Sequence, residues 1–240
     1  MDMENIVQQS VASLVLKNHQ IVPVLEKYNI DFCCKGKLSL QEACRDKGID
    51  VLDILTEMES VQKDPGGRSM PFVEMSQAQL VNHIIVHHHY YVRQAMPAIM
   101  GQLEKIAAKH GEHYPYMIKV KELFGVIQNE MDQHMRKEEV VLFPRIVEVE
   151  RELGIDPNLQ IPKDYLSGPI SMMEIEHDQA GDIMFQIRAL TNNYKVPSGA
   201  CTTFQVCLAG LSEFENDLHQ HVHLENNILF PRVLESTSIK

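Results

Sequence analysis

The sequence predicts an all-α protein, an up-down-up-down four-helix bundle preceded by a small helical N-terminal domain. Three observations predict it. From about residue 76 onward, four long segments carry apolar residues at three- and four-residue spacing, separated by short polar breaks. No segment shows the period of two that a half-buried strand requires. One phrase, a His and a Glu four apart followed by Leu-Phe-Pro-Arg, occurs twice and marks an internal duplication.

In chain order, residues 1–62 read as short helices. Ser39 with Glu42 forms a capping box, and Asp50 with Asp53 marks a second helix start. Before these, the run from Asp31 to Lys37 is too rich in Gly and Lys for a helix interior and reads as an exposed loop. The breakers around Pro65 and Gly66 predict a linker over 63–72, so that the domains are 1–62 and 73–240. In the second domain, Ser76 and Gln79 form a capping box for the first long helix, which ends near Gly111. Pro115 suits the first turn of the second helix, which runs to about Gly154. Pro169 opens the third, which ends near Asn192 and Asn193, and Ser198 caps the fourth. Pro97, Pro144 and Pro231 fall inside or near the ends of these segments and predict kinks or terminations.

Composition narrows the function classes. The 240 residues are 44% hydrophobic and 23% charged, and they lack the apolar run of about 18 residues that a membrane span needs. The start MDMENIVQQS has neither the basic nor the apolar region of a signal peptide, so a cytoplasmic protein is expected. A net charge of -11 opposes nucleic acid and anionic lipid as partners. Five cysteines in a reducing compartment argue against a disulfide framework. Twelve histidines against 22 Lys plus Arg require an explanation.

The duplication supplies one. His134, Glu138, Leu142, Phe143, Pro144 and Arg145 recur as His221, Glu225, Leu229, Phe230, Pro231 and Arg232, each 87 positions later. A His and a Glu at i and i+4 share one helical face, so both reach a single point in a bundle interior. The first and third helices add His89 and His177, 88 positions apart. Four imidazoles and two carboxylates suit a pair of iron ions, bridged by carboxylate and an oxygen, better than a thiolate-seeking metal. The His-x-x-x-Glu order differs from the Glu-x-x-His of ferritin-like sites.

The competing reading places these six in solvent, but they lie amid Val, Ile, Met and Leu. His89 is preferred to His88 because Ile85, Val92 and Met96 flank it as an apolar stripe. His177 completes the symmetry of the count. His83, His87, His110, His113, His219 and His223 read as surface residues or as residues behind the ligands. Glu130, one turn before His134, and Glu176, next to His177, are candidates for steering a ligand's hydrogen bond or a proton, against the alternative of plain solvated carboxylates. Cys33 and Cys34 stand beside Lys35 and Lys37, which would lower their thiol pKa and equip them for redox or iron transfer; ordinary loop thiols are the alternative. Cys44, Cys201 and Cys207 read as buried apolar residues.

The run Asp31 to Lys37, the phrase Glu176-His177-Asp178 and the phrase Leu224-Glu225-Asn226-Asn227 resemble the iron-sulfur cluster repair di-iron proteins. The C-terminal 170 or so residues resemble a hemerythrin-like domain, and the resemblance spans nearly the whole chain. It implies two non-haem irons on His89, His134, Glu138, His177, His221 and Glu225, with the Cys33-Cys34 pair in the small N-terminal domain. It further implies repair of clusters damaged by oxidative or nitrosative stress, through iron donation, nitric oxide reduction or both. The implied partners are nitric oxide, oxygen, damaged iron-sulfur proteins and an electron donor that the sequence does not identify; a homodimer is compatible. The alternative from another class is a module that binds or senses oxygen or nitric oxide without turnover. Plain oxygen carriers need no cysteine-bearing N-terminal domain, which weighs against it.

Overall fold

The computed structural model describes residues 3–62, 72–162 and 164–237. Among them the chain forms nine helices, counting a helix interrupted by a π-turn as one, and no strand beyond an isolated bridge between Ser10 and Ser39. No helix of the described residues is long and apolar enough to cross a membrane. The expected linker lies outside the described residues except for Phe72, which opens a single 3-10 turn, Phe72–Glu74.

The N-terminal helices are α1 (Met3–Val7), α2 (Val11–Lys17), α3 (Val22–Lys27), α4 (Leu40–Lys47) and α5 (Val51–Gln62). Their caps are written in the sequence. Ser10 accepts the Ser13 amide at the start of α2, and the Ser39–Glu42 capping box opens α4. Gly48 closes α4 at φ 66, and the Asp50 carboxylate accepts the Leu52 amide at the start of α5. Val11, Leu25, Phe32, Leu40 and Ile54 form the dry centre of this part.

The segment from Asp31 to Lys37 is a loop, as expected, but it is not exposed: Phe32, Cys33 and Gly36 are buried. The Gly36 carbonyl accepts the Ala12 amide at 2.9 Å, which draws the loop onto α2. Only glycine fits there, because a Cβ would lie 2.4 Å from the Phe32 carbonyl oxygen and 2.8 Å from the Ala12 Cβ. The residue that looked like a solvent-loop marker is therefore a close-approach device.

The second part is the bundle. Helix α6 covers 77–110 and contains a π-turn at Ile84–His89; α7 covers 116–155 with a π-turn at Glu138–Leu142. Helix α8 is Asp164–Leu190, and α9 covers 202–237 with a π-turn at Glu225–Leu229. Each helix buries one stripe. On α7 this is Val120, Phe124, Ile127, Met131, His134 and Glu138, spaced four, three, four, three and four. The ring centroids of Phe124 and Phe214 meet edge-on at 5.3 Å in the bundle core.

Several expected boundaries shift. Helix α8 begins at Asp164, so Pro169 lies inside it, and α9 begins at Thr202, beyond Ser198. The N-terminus of α6 is held from across the bundle: the Gln77 and Ala78 amides donate to the two Glu150 carboxylate oxygens at 2.7 and 2.9 Å. Pro97, Pro144 and Pro231 end no helix. Pro144 and Pro231 each sit second in the α-helical segment that follows a π-turn, where the missing amide hydrogen forfeits least.

The turn between α8 and α9 is made by Asn192, Asn193 and Tyr194, all at φ between 50 and 58. The Tyr194 hydroxyl donates to buried Glu215 at 2.7 Å, and the Arg188 Nε donates to the same oxygen at 2.8 Å. By contact the chain divides into two compact units. One joins the residues up to Ser76 with His219–Pro231, and the other joins Gln77–Leu218 with the residues from Arg232.

Candidate metal centre

The six residues singled out from the sequence occupy the apolar stripes of their helices. His134 and Glu138 continue the α7 stripe, and His177 falls between Met173 and Ala180 on α8. His221 and Glu225 extend the α9 series of Phe214 and Leu218. On α6 the π-turn decides which histidine points inward. From Leu80 and Ile84 an unbroken α-helix would next present residue 88; the extra residue in the turn advances the face to His89, after which Val92 and Met96 resume the stripe. All six are at most 2% exposed.

Their ligand atoms converge. His89, Glu138, His221 and Glu225 each bring one donor atom within 4.8 Å of the others, and so do His134, Glu138, His177 and Glu225. Glu138 and Glu225 belong to both groups. The Glu138 oxygens are divided between two imidazoles: Oε2 lies 3.3 Å from His89 Nε2, and Oε1 lies 3.3 Å from His134 Nε2. His134 and His177 face each other through Nε2 at 3.1 Å, and His221 Nε2 stands 3.1 Å from Glu225 Oε1.

The outer edges of two rings settle what the inner edges can do. His89 Nδ1 is 2.7 Å from Glu139, and His134 Nδ1 is 2.9 Å from Glu176. Burial alone would raise both carboxyls, but hydrogen bonds from Arg93 and His89 to Glu139, and from Lys137 and His134 to Glu176, overcome it and hold both below the ordinary carboxylate range. A carboxylate at Nδ1 holds a proton there, so that each ring in its neutral form presents the Nε2 lone pair to the converging oxygens. Facing lone pairs in a dry interior call for a positive charge among them, which protons on Nε2 or a metal cation would supply. Imidazole and carboxylate donors with oriented outer edges fit iron, manganese or zinc in kind. Neutralising either outer carboxylate as Glu139→Gln or Glu176→Gln should weaken metal binding by about 10- to 100-fold, read by competition with a coloured chelator.

Of the two carboxylates expected behind the ligands, Glu176 touches His134 and Glu130 is exposed. Glu139, which sequence spacing did not single out, takes the place opposite His89. The available signal was a break in the duplication, since position 226 holds Asn where 139 holds Glu.

Among the other histidines, His88 is buried with Nδ1 2.9 Å from Asp217, and His223 is buried too, its pKa brought down to about 4 by burial. His83 is likewise brought down to about 4 by burial and by its neighbours His87 and His88. Cys201 is exposed, with its Sγ 3.6 Å from His110 Nε2, whereas Cys44 and Cys207 are buried. Cys33, Cys34 and Asp31 bring their donor atoms within 4.8 Å of one another. The Cys33 thiol is pushed up, not down. Its hydrogen bond with Cys34, its burial and the Asp31 charge all favour the protonated form, while Lys35 and Lys37 are exposed to solvent that screens them.

Comparison with known proteins identifies the family. The hemerythrin HHE cation binding domain matches residues 80–233, and the ScdA_N domain, described as of unknown function, matches residues 7–62. A "probable iron-sulfur cluster repair protein" of Haemophilus influenzae is 34% identical over 95% of this chain and 97% of its own. The iron-sulfur cluster repair protein YtfE of Shigella boydii is 34% identical over 94% of this chain and 96% of its own. YtfE of Yersinia pseudotuberculosis is 33% identical with the same coverage. With a hemerythrin HHE domain over more than half its length and relatives aligned nearly end to end, this chain belongs to the family of the iron-sulfur cluster repair proteins.

Proposed function

We propose that His89, His134, Glu138, His177, His221 and Glu225 hold two iron ions. We further propose that the protein repairs iron-sulfur clusters damaged by oxidative or nitrosative stress, by giving up iron, by reducing nitric oxide, or by both. The observation that carries the reading is the division of the Glu138 carboxylate, each oxygen 3.3 Å from a different imidazole, in a set that a second shared carboxylate, Glu225, completes. One carboxylate spanning two donor groups is what a pair of ions needs and a single ion does not.

The protein's own side chains have definite tasks in this scheme. Glu139 and Glu176 hold the protons on His89 Nδ1 and His134 Nδ1 and so fix ring orientation. Arg93 and Lys137 pin those carboxylates from the outer side. The near-complete burial of the six side chains keeps bulk water off the donors. Iron held there would supply one-electron chemistry toward a diatomic molecule and would itself be the cargo in cluster repair. For nitric oxide the balance is two molecules, two electrons and two protons to one nitrous oxide and one water, with the electrons delivered from a donor outside the chain. Asp31, Cys33 and Cys34 are the candidates for receiving iron in transit. The cytoplasm, where such clusters are assembled and damaged, is the proposed location.

The test uses the iron-loaded full chain, an iron-sulfur hydratase inactivated by nitric oxide, and a chemical reductant. Recovery of hydratase activity beyond that given by equal ferrous salt, or nitrous oxide in the headspace, supports the reading. Uptake of nitric oxide with neither result supports a sensor or carrier instead.

A further inference from the structure

The helix segment that carries Glu225 also grips the cysteine loop, and the grip falls on the two peptide groups that flank Cys33, the Cys33–Cys34 peptide most closely. The Asn227 Nδ2 donates to the Cys33 carbonyl oxygen at 3.1 Å and lies 3.3 Å from the Phe32 carbonyl oxygen. The other end of the Cys33–Cys34 peptide is held as well, because the Cys34 amide donates to Asp31 Oδ1 at 2.9 Å. That oxygen also accepts the Cys33 amide at 3.0 Å. Around this clamp the surroundings are closed. Phe32 and His223 are buried, and their rings meet edge-on at 5.5 Å. The His223 Nδ1 lies 3.2 Å from the Asn227 amide nitrogen.

The chemistry that this clamp governs follows from chain geometry. The Cys33 and Cys34 sulfurs are 3.8 Å apart, and both thiols are free. Joining them would close an eight-membered ring through their shared peptide. Neighbouring Cα atoms are about 3.8 Å apart across a trans peptide, whereas disulfide-linked Cα atoms usually stand roughly 4.4–6.8 Å apart. Cα atoms joined by one peptide cannot reach that range, so the eight-membered ring closes only with the connecting peptide and its flanking dihedrals distorted, and that peptide is the one pinned at its carbonyl by Asn227 and at its amide by Asp31.

We propose that Asn227 is a positioning residue that locks the Cys33–Cys34 peptide, holding the pair as an open dithiol and opposing its closure to a vicinal disulfide. The reaction opposed is an exchange with a small-molecule disulfide. Two thiols of the protein and one oxidised glutathione give the protein disulfide and two reduced glutathiones, with both protein protons passing to the glutathione sulfurs. The lock does not depend on the metal reading, since every contact in it lies within the protein. Its consequence is that the two sulfurs stay available as separate ligands or acceptors.

The experiment equilibrates the full-length protein in glutathione buffers of graded potential. After acid quenching and alkylation, peptide mass spectrometry reads the fraction of Cys33–Cys34 disulfide. Asn227→Ala should form the disulfide in buffers roughly tenfold more reducing than wild type requires, a shift of about 30 mV for a two-electron couple. Asn227→Gln, which keeps the donor on a longer arm, should move back toward wild type. Iron content and melting temperature are recorded on each variant. If Asn227→Ala fails to fold, Asn227→Asp, which cannot donate, is read by the same criterion. An unchanged midpoint, a shift toward more oxidising buffers, or a glutathione adduct on either cysteine in place of the internal disulfide would overturn the lock.

Discussion

Removing iron from the loaded protein is expected to lower its unfolding free energy by about 3 kcal/mol when free iron had stood near a hundred times its dissociation constant. For a chain of this size that corresponds to a fall in the melting temperature of roughly 6–12 °C, read by anaerobic calorimetry with and without ferrous ion. The physical reason is the burial of the donor set. Glu138 and Glu225 are 0% exposed, and a carboxylate taken out of water without a compensating charge costs several kcal/mol. The apolar stripes on either side, such as Ile127 and Met131 before His134, supply the burial that keeps the helices folded in spite of that cost. A metal-free protein as stable as the loaded one would mean that the six side chains need no cation.

Glu138→Gln is expected to produce effects of opposite sign in the two states. In metal-free protein the isosteric amide removes a buried charge, so stability should rise by about 1–3 kcal/mol. In the presence of iron the gain on loading should largely vanish, because neither ion keeps the charged oxygen that now faces His89 or His134 at 3.3 Å. A merely structural glutamate would give the reverse pattern, with the substitution harmful in metal-free protein and neutral toward iron. Paired calorimetry on wild type and variant, each with and without ferrous ion, separates the two.

Much of this architecture was legible in the amino-acid order because the same physics set both. The four long helices follow from three-and-four spacing, and the Ser39–Glu42 box formed where its pattern stood. The placement of the donor residues in the stripes was legible because an inward His or Glu must share the period of the apolar residues around it. What escaped the sequence depended on contacts between elements. The partner of the His134 Nδ1 comes from α8 as Glu176, not from one turn earlier on α7, where Glu130 points to solvent. Glu139 reaches across to His89 from α7, a relation that no single-helix spacing encodes.

The π-turns were equally hidden. Each adds one residue to a stripe, so the flank of Ile85 that favoured His89 over His88 is only half-buried, while the turn at Ile84–His89 is what turns His89 inward. The two that precede Pro144 and Pro231 also explain why prolines expected to break the helices pass without doing so. In the N-terminal part, Gly36 and the lysines suggested solvent, yet the Ala12 contact buries the loop and reverses the expected effect on the Cys33 thiol.

The central claim is that a pair of ions occupies one set of six buried side chains. Anaerobic equilibrium titration of the metal-free full chain with ferrous ion, followed by the absorption of the bound metal, tests it most directly. Two irons per chain in wild type, with both sites weakened together in Glu138→Gln, is the predicted result. Saturation at one iron or none, or two irons retained undiminished by Glu138→Gln, would contradict it.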